Sequence, residues 1–166
     1  MPVLEINRQT VTQTAAICRY LAREAGLCGK DNWEDLRIDQ IVDVNTDFVR
    51  EFTKYYYEFD EKKKESLKRP LFNTIAPFYM KKFDALIKEN EGYLANKEMS
   101  WADLYFTALS DGISHMNGSE ITDGYSNVKR LQEIVNSLPQ IKAWLAKRPA
   151  DDFSFEDVLF AAANKK

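Results

Sequence analysis

The alternation of apolar and polar residues predicts two short strands at the start of the chain. Val3–Ile6 alternates apolar and charged side chains, and Gln9–Thr12 contains a second short run typical of a strand, with Asn7-Arg8 as a turn between them. Residues 14–25 then carry apolar residues at helical spacing, and Thr14 is the expected N-cap of that helix. A hairpin and one helix are too little to stand alone, because two strands are only marginally stable in water.

From Trp33 onward the spacing of apolar residues is helical. No Gly or Pro interrupts residues 33–66, which predict one long helix or two helices in line. Another helix is expected over 71–89, and Pro77 inside it should kink it. We therefore expect a small α/β segment followed by an all-α bundle, with 27–32 as the linker. Two shorter helices complete the bundle, at 126–137 and 140–147.

The helix predicted at 100–116 is the expected centre of the core. Ser100 and Asp103 have the spacing of a capping box, in which the hydroxyl accepts from the third backbone N–H and the carboxylate reaches back. Only Asp103 and Thr107 interrupt the apolar residues of its first half, so other helices should surround it. Those apolar residues are Trp101, Ala102, Leu104, Tyr105, Phe106, Ala108 and Leu109.

Composition excludes several functional classes. The 166 residues include 45% apolar and 30% charged side chains, as in an ordinary globular protein. A net charge of −3 provides no basic face for nucleic acid, and no apolar run approaches the ~20 residues of a membrane span. The first residues lack the order of a secretion signal, and Cys18 and Cys28 do not make a disulfide framework. A cytoplasmic protein with free thiols is therefore expected.

Short motifs follow one another in a fixed order along residues 1–149. They are MPVLE at 1–5, TQT at 12–14, ICRYLA at 17–22, IDQIVD at 38–43, DF at 47–48, SWAD at 100–103, IKAW at 141–144 and KRP at 147–149. Together they resemble the sigma class of glutathione transferases, whose members include invertebrate enzymes and, more distantly, haematopoietic prostaglandin D synthases. The resemblance implies three parts. Residues 1–27 would be the second half of a thioredoxin-like, glutathione-binding α/β domain, 28–149 an all-α C-terminal domain, and 150–166 a tail.

The resemblance also implies where the catalytic group lies. In that family the first half of the N-terminal domain is a β-α-β unit, and a tyrosine in it stabilises the glutathione thiolate. No tyrosine precedes Tyr20 in this chain, and Tyr20 falls inside the first predicted helix. We therefore expect the catalytic tyrosine in a segment upstream of Met1. Lowering the pKa of the glutathione thiol makes it a nucleophile toward electrophilic substrates.

Five residues match positions that hold glutathione, the co-substrate of the family. The backbone of Met1 would pair with its cysteinyl part, and Pro2 matches a cis-proline, although without the resemblance it is more typical of an ordinary proline at a strand start. Gln13 and Thr14 match a pair that holds the γ-glutamyl carboxylate, at a helix start that attracts anions. Asp47 matches a carboxylate that reaches the glutathione α-amine of the neighbouring subunit, which implies a homodimer.

Other residues near this site have two interpretations. Tyr55 and Tyr56 lie where the family's helix borders the hydrophobic-substrate site, but a buried tyrosine stripe is the alternative. Asp43, Thr46 and Asp47 match the divalent-ion positions of related prostaglandin synthases, yet with only two carboxylates we predict no metal. The single histidine, His115, has no acid or thiol partner at a readable spacing and is expected to be a packed or surface residue and not a catalyst.

Two functions stay open on the sequence. The first is a glutathione transferase that conjugates the thiolate to small hydrophobic electrophiles, in detoxification or in prostaglandin isomerisation. The second is a non-catalytic structural or ligand-binding protein, as the S-crystallins of cephalopod lenses are within this class. A tyrosine-bearing segment encoded upstream of Met1 favours the first, whereas a true start at Met1 favours the second.

Overall fold

Helices dominate the part of the chain that the structure describes, which is residues 2–117 and 119–149 of a computed structural model. An antiparallel hairpin, β1 (Val3–Ile6) paired with β2 (Gln9–Thr12), precedes them. The helices in this range are α1 (Thr14–Glu24), α2 (Asn32–Tyr56), α3 (Glu61–Pro70), α4 (Ala76–Glu89), α5 (Trp101–Asn117), α6 (Ser126–Ser137) and α7 (Pro139–Leu145). None of them is both long and apolar enough to cross a bilayer.

The predicted order of a short α/β segment and then an all-α domain is therefore confirmed. The chain divides into two compact units, residues 1–135 and 136–166, and α7 belongs to the second. The domain boundary between residues 27 and 28 stays a prediction. The tail at 150–166 lies outside the described residues.

The hairpin turn follows from the backbone of its two central residues. Asn7 and Arg8 both take positive φ, 50° and 63°, which is the geometry of the two-residue turn that matches the twist of the strands. The predicted N-cap at Thr14 is wrong by one residue, because Gln13 holds that position. Since β2 ends at Thr12, Gln13 alone makes the whole change from strand to helix, and its φ of 79° records this.

Residues 33–66 form two helices, which confirms one of the two alternatives. Asp31 caps the first helix, where its carboxylate accepts from the backbone N–H groups of Trp33 and Glu34 at 2.9 Å. That helix, α2, ends at Tyr56. Asp60 then caps α3 in the same way, so a second N-cap inside the apolar pattern separates the two helices.

A π-helical turn, Leu71–Ile75, joins α3 to α4. The prediction of a new helix at residue 71 is wrong, because α3 runs through Pro70 directly into this turn. The predicted kink at Pro77 is also displaced, since Pro77 lies in the first turn of α4 and the helical geometry changes just before it. A proline cannot donate to the carbonyl four residues earlier, and a wider turn is one way in which a helix accommodates this loss.

Aromatic side chains join the three helices at the centre of the molecule. Phe48 of α2 and Phe83 of α4 have ring centroids 6.2 Å apart, and Phe83 and Phe106 of α5 have centroids 4.8 Å apart. Tyr79 packs against Phe48 at 4.9 Å. The three phenylalanines are fully buried, so each contributes about 1.5–3 kcal/mol through removal of its side chain from water.

The carboxylate of Asp103 is completely buried at the start of α5. It accepts hydrogen bonds from the backbone N–H of Leu94 and of Ser100, each at 2.8 Å, and from the Ser100 hydroxyl at 3.1 Å. The carboxylate therefore reaches back as the capping box predicts. The expected role of the hydroxyl is wrong, because it donates to the carboxylate while the N–H of Asp103 binds the carbonyl of Ser100.

The two sides of α5 differ more than its sequence suggested. One side carries buried polar residues, and Thr107 and Ser110 follow Asp103 there. The opposite side is apolar but only partly covered, because Leu104 is half-buried and Ala108 is exposed. The expectation that other helices surround α5 on every side is thus wrong for this apolar side.

Removal of the Asp103 carboxylate should destabilise the fold more than removal of its partner hydroxyl. Asp103→Ala leaves two backbone donors and a hydroxyl unpaired in the core, at about 1–3 kcal/mol for each buried donor. Ser100→Ala removes one hydrogen bond and leaves the other two intact, at about 1 kcal/mol. Urea unfolding followed by circular dichroism measures both, and equal losses for the two variants would refute this role of Asp103.

Asp103→Asn adds a test of the electrostatics. Burial raises the pKa of Asp103, and the hydrogen bonds from Ser100 and Leu94 oppose that rise. A carboxyl group whose pKa is raised in the folded state stabilises the folded protein at low pH. This stabilisation is lost as the pH rises through the raised pKa. The difference in unfolding free energy between wild type and Asp103→Asn should therefore shrink as pH rises above about 4.

Candidate functional site

The start of α1 presents an uncapped helix N-terminus to solvent. Gln13 and Thr14 are both exposed, and no side chain caps the helix. The backbone N–H groups of a first turn have no partner within their own helix, and the helix dipole makes their surroundings favourable for an anion. The positive φ of Gln13 is a strained conformation of the kind that concentrates at functional sites.

The other glutathione positions from the resemblance are only partly described. Met1, whose backbone is expected to pair with the cysteinyl part, lies outside the described residues, and so does its peptide bond to Pro2. Pro2 itself is exposed and directly precedes β1. Both assignments stay predictions.

Asp47 lies on the exposed side of α2, together with Asp43. Its carboxylate accepts a hydrogen bond from Arg50 at 2.8 Å within the same helix. The Thr46 hydroxyl instead bonds back to the carbonyl of Val42 at 2.9 Å, so it is committed to its own helix. In the residues that the structure describes, no group of three or more His, Cys, Asp and Glu residues is arranged to hold a metal ion.

Tyr55 and Tyr56 contact different neighbours. The half-buried Tyr55 ring packs edge-on against Phe72 of the π-helical turn at 5.6 Å, and the Lys64 ammonium lies 5.8 Å from its centre. Tyr56 packs against Tyr57 at 5.8 Å. Tyr55 thus belongs to the seam between α2 and the turn, which fits the alternative of a packed tyrosine for this residue.

An apolar groove of about 380 Å³ lies between α1 and α5. Sequence reasoning missed it, because the same apolar positions were assigned to a helix covered on every side. Thr14 lies in its lining, so the groove reaches the first turn of α1. The other lining residues are Cys18, Leu21, Ala22, Ala25, Leu27, Trp101, Leu104, Tyr105, Ala108 and Leu109.

Three contacts hold α1 to the helical part of the molecule. The Arg19 guanidinium donates to the carboxylate of Asp39 on α2 at 2.8 Å and lies 5.4 Å from the ring centre of Trp101 on α5. The backbone N–H of Trp101 donates to the carbonyl of Leu27 at 3.0 Å. These contacts fix where the first turn of α1 points, and sequence reasoning assigned no role to either charged residue.

Neither cysteine is activated as a nucleophile. Cys18 and Cys28 are free and half-buried. Burial raises the pKa of the Cys18 thiol, and burial together with the charge of Asp35 raises the pKa of Cys28. A raised pKa keeps a thiol protonated at neutral pH, and only the thiolate attacks electrophiles. Cys18 and Cys28 are therefore not expected to act as nucleophiles at neutral pH.

Loss of the Arg19 contacts should loosen α1 without unfolding the helical part. Arg19→Ala removes a half-buried ion pair and a cation–π contact, which together are worth about 1–2 kcal/mol. Trp101 fluorescence reports the loss directly, because the guanidinium lies over its ring. Arg130→Ala, which removes an exposed arginine of α6, serves as the control. A change in Trp101 fluorescence of similar size in this control would mean that Arg19 has no special role.

Many known proteins and solved structures are similar to this chain. Residues 46–148 match the family model described as glutathione S-transferase, C-terminal domain. Glutathione S-transferase S1 of Drosophila melanogaster is 37% identical over 152 residues, or 92% of this chain. The hematopoietic prostaglandin D synthase of Gallus gallus is 32% identical over 90% of the chain. The solved structure of prostaglandin synthase D of Nilaparvata lugens is 43% identical, covers 90% of the chain and superposes with a TM-score of 0.87.

The chain is shorter than these relatives. It spans 61% of the length of the Drosophila protein, 73% of the Gallus protein and 75% of the Nilaparvata chain. The likeness nevertheless covers about nine tenths of this chain in each case.

Proposed function

The chain belongs to the glutathione S-transferase family, within its sigma-like and prostaglandin D synthase-like branch, and we propose that it holds glutathione for transfer to small hydrophobic electrophiles. The observation that carries this proposal is the uncapped start of α1 at Gln13 and Thr14. The glutathione γ-glutamyl carboxylate is an anion of the size and charge that such a helix start attracts.

The remaining contacts of glutathione follow from the family resemblance. The backbone of Met1, held by Pro2, pairs with the cysteinyl part, and the Asp47 of the partner subunit binds the α-amine. The protein acts as a homodimer in the cytoplasm. The exposure of Asp47 on α2 supports this arrangement, because a carboxylate that serves another subunit has to lie on the surface of its own.

The reaction of the family is attack by the glutathione thiolate on an electrophilic carbon, which forms a C–S bond. The thiolate needs a hydrogen-bond donor that stabilises it, and in the family this is a tyrosine that matches no position of this chain. Tyr20, the first tyrosine of this chain, lies in the middle of α1 and does not match that position. We therefore assign binding of the glutamyl end to the residues described above, and conjugation requires in addition a hydroxyl that stabilises the thiolate.

Two substitutions at the start of α1 test glutathione binding. Gln13→Glu places a negative charge beside the carboxylate, and Thr14→Val removes the hydroxyl without a change in shape. We expect each to weaken binding at least tenfold, since one charge-assisted contact is worth about 1.4 kcal/mol or more. Isothermal titration with glutathione measures the dissociation constant.

Thr14→Ser and Thr10→Val are the matched controls. The first keeps the hydroxyl and should bind as wild type does, and the second removes a hydroxyl from an exposed strand position away from the helix start. Unchanged affinity in both Gln13→Glu and Thr14→Val would show that glutathione does not bind at α1. Conjugation activity is followed separately with a chromogenic electrophile, so that binding and catalysis are not confused.

The apolar groove between α1 and α5 favours a second candidate function, the binding of hydrophobic ligands without catalysis. Its volume of about 380 Å³ lies in the range of small-molecule sites, which are mostly apolar with a few polar groups at one end. Thr14 provides such a polar group. This function would be that of a carrier or a structural protein of the same family.

A bulky substitution in the groove distinguishes this second function. Ala108→Trp fills the groove from the exposed side of α5, and we expect it to reduce the affinity for an environment-sensitive apolar dye at least tenfold. Ala85→Trp, at an exposed position on α4, adds the same side chain elsewhere. Dye binding that survives Ala108→Trp would remove the groove as a ligand site, whatever the result with glutathione.

A further inference from the structure

A second cavity, of about 430 Å³, lies where the linker before α2 meets the loop after α4. Its volume is in the range of small-molecule sites. Every residue of its lining is polar or charged, whereas apolar residues predominate in the groove between α1 and α5. We call it the polar cavity, and its lining consists of five charged residues and two amides, Lys30, Glu34, Arg37, Lys97, Glu98, Asn90 and Asn96.

Arg37 is the cation that an anionic ligand would meet in the polar cavity. In the part of the chain that the structure describes, Arg37 forms no ion pair, and its guanidinium donates one long hydrogen bond of 3.4 Å to Asn90 Oδ1. A guanidinium presents several N–H donors in a planar fork, which fits two oxygens of a carboxylate or phosphate group. Arg37 therefore keeps most of its donors for a ligand.

The two carboxylates of the polar cavity are engaged by Lys30. The Glu98 carboxylate lies 2.5 Å from the Lys30 ammonium, and the Glu34 carboxylate accepts the Lys30 backbone N–H at 2.8 Å. Both contacts reduce the repulsion that an anion meets there. Because the lining holds three cations and two carboxylates, its net charge is +1, although the net charge of the whole chain is −3.

Lys97 supplies a further cation on the loop side of the polar cavity. It pairs with Glu91, whose carboxylate is not part of the lining. Both side chains of this pair are exposed, and exposed ion pairs are weak. An anion in the polar cavity can therefore compete with Glu91 for the Lys97 ammonium.

Asn90 provides a fixed acceptor beside Arg37. It is only 5% exposed, and its side-chain amide donates to the backbone carbonyls of Leu86 at 3.0 Å and Leu94 at 3.1 Å. These two bonds use both amide hydrogens, so the orientation of the group is set and its oxygen faces Arg37. A ligand that carries a hydroxyl next to its anionic group satisfies both residues.

Other classes of ligand fit the polar cavity less well. Within the described ranges 2–117 and 119–149, no group of three or more His, Cys, Asp and Glu residues is arranged to hold a metal ion. An apolar molecule would remove charged side chains from water without hydrogen bonds in return, which costs free energy. The chemistry of the lining therefore favours a hydrophilic anion.

We propose that the polar cavity binds a small hydroxylated anion, whose carboxylate or phosphate group pairs with Arg37 and whose hydroxyl donates to Asn90. This site shares no residue with the start of α1 or with the apolar groove. It is a second ligand site beyond the proposed function, and it does not depend on glutathione binding.

Titration of the whole chain with three probes tests the site. Inorganic phosphate, citrate and tricarballylate are titrated calorimetrically at constant ionic strength and without glutathione. We expect phosphate, citrate or both to bind with a dissociation constant of about 1 mM or tighter. Binding of one alone identifies the anionic group that the site prefers. Tricarballylate, which is citrate without its hydroxyl, should bind more weakly than citrate, and equal affinities would overturn the contact with Asn90.

Two substitutions in the lining should change the affinity in opposite directions. Arg37→Gln removes the guanidinium fork and should weaken binding of the probe at least about tenfold. Glu98→Gln removes one of the two carboxylates and should strengthen binding, because the net charge of the lining rises to +2. Both residues are exposed, so neither substitution disturbs the core, and circular dichroism verifies the fold of each variant.

Two control variants separate the polar cavity from other places where an anion could bind. Arg130→Gln removes an exposed cation of α6, and Gln13→Glu adds a negative charge at the start of α1. Both should bind the probe as wild type does. The proposal would be overturned by the absence of phosphate and citrate binding up to about 10 mM, or by wild-type affinity in Arg37→Gln. A loss in Gln13→Glu as large as that in Arg37→Gln would also overturn it, because the anion would then bind at α1.

Discussion

The buried carboxylate of Asp103 joins the loop that follows α4 to the start of α5, because it accepts hydrogen bonds from both. Through one oxygen it holds the N–H of Leu94 in the segment after α4, and through the other it holds Ser100 at the start of α5. A buried carboxylate is tolerated only when hydrogen bonds replace its hydration, and here the start of the core helix and its preceding loop supply them.

The position of the candidate site depends on this same region. The next residue after Ser100, Trp101, donates its backbone N–H to Leu27 and receives the guanidinium of Arg19 over its ring. These contacts hold α1 against α5, and Gln13 lies at the N-cap position directly before the first turn of α1. A change at the buried cap of α5 should therefore reach Gln13 and Thr14, the proposed glutathione-binding residues, through Trp101.

Local signals in the sequence were sufficient for much of the fold. Alternation and a two-residue turn predicted the hairpin, and Ser100 with Asp103 located the start of the core helix. These features depend on residues within a few positions of one another. The family motifs added the positions expected to bind glutathione, and of these Gln13 and Thr14 lie together at one exposed helix start.

Features that depend on distant residues escaped prediction. Asp84 on α4 caps α6, as its carboxylate accepts from the backbone N–H groups of Asn127 and Val128 more than forty positions along the chain. The groove beside α5 could not be predicted either, because periodicity shows that a side is apolar but not whether anything covers it. The π-helical turn was also missed. It lies between Pro70 and Pro77, and it keeps the helix continuous where these prolines lack backbone N–H donors.

Hydrogen exchange at the amides of Leu94 and Ser100 tests the central role of Asp103 most directly. If the buried carboxylate joins the loop to the core helix, both amides should exchange only through global unfolding, with opening free energies equal to that of the aromatic core. Both should be far slower than the exposed amides of β2. Exchange of Leu94 or Ser100 as fast as that of the hairpin would contradict this role, since the cap would then open independently of the fold.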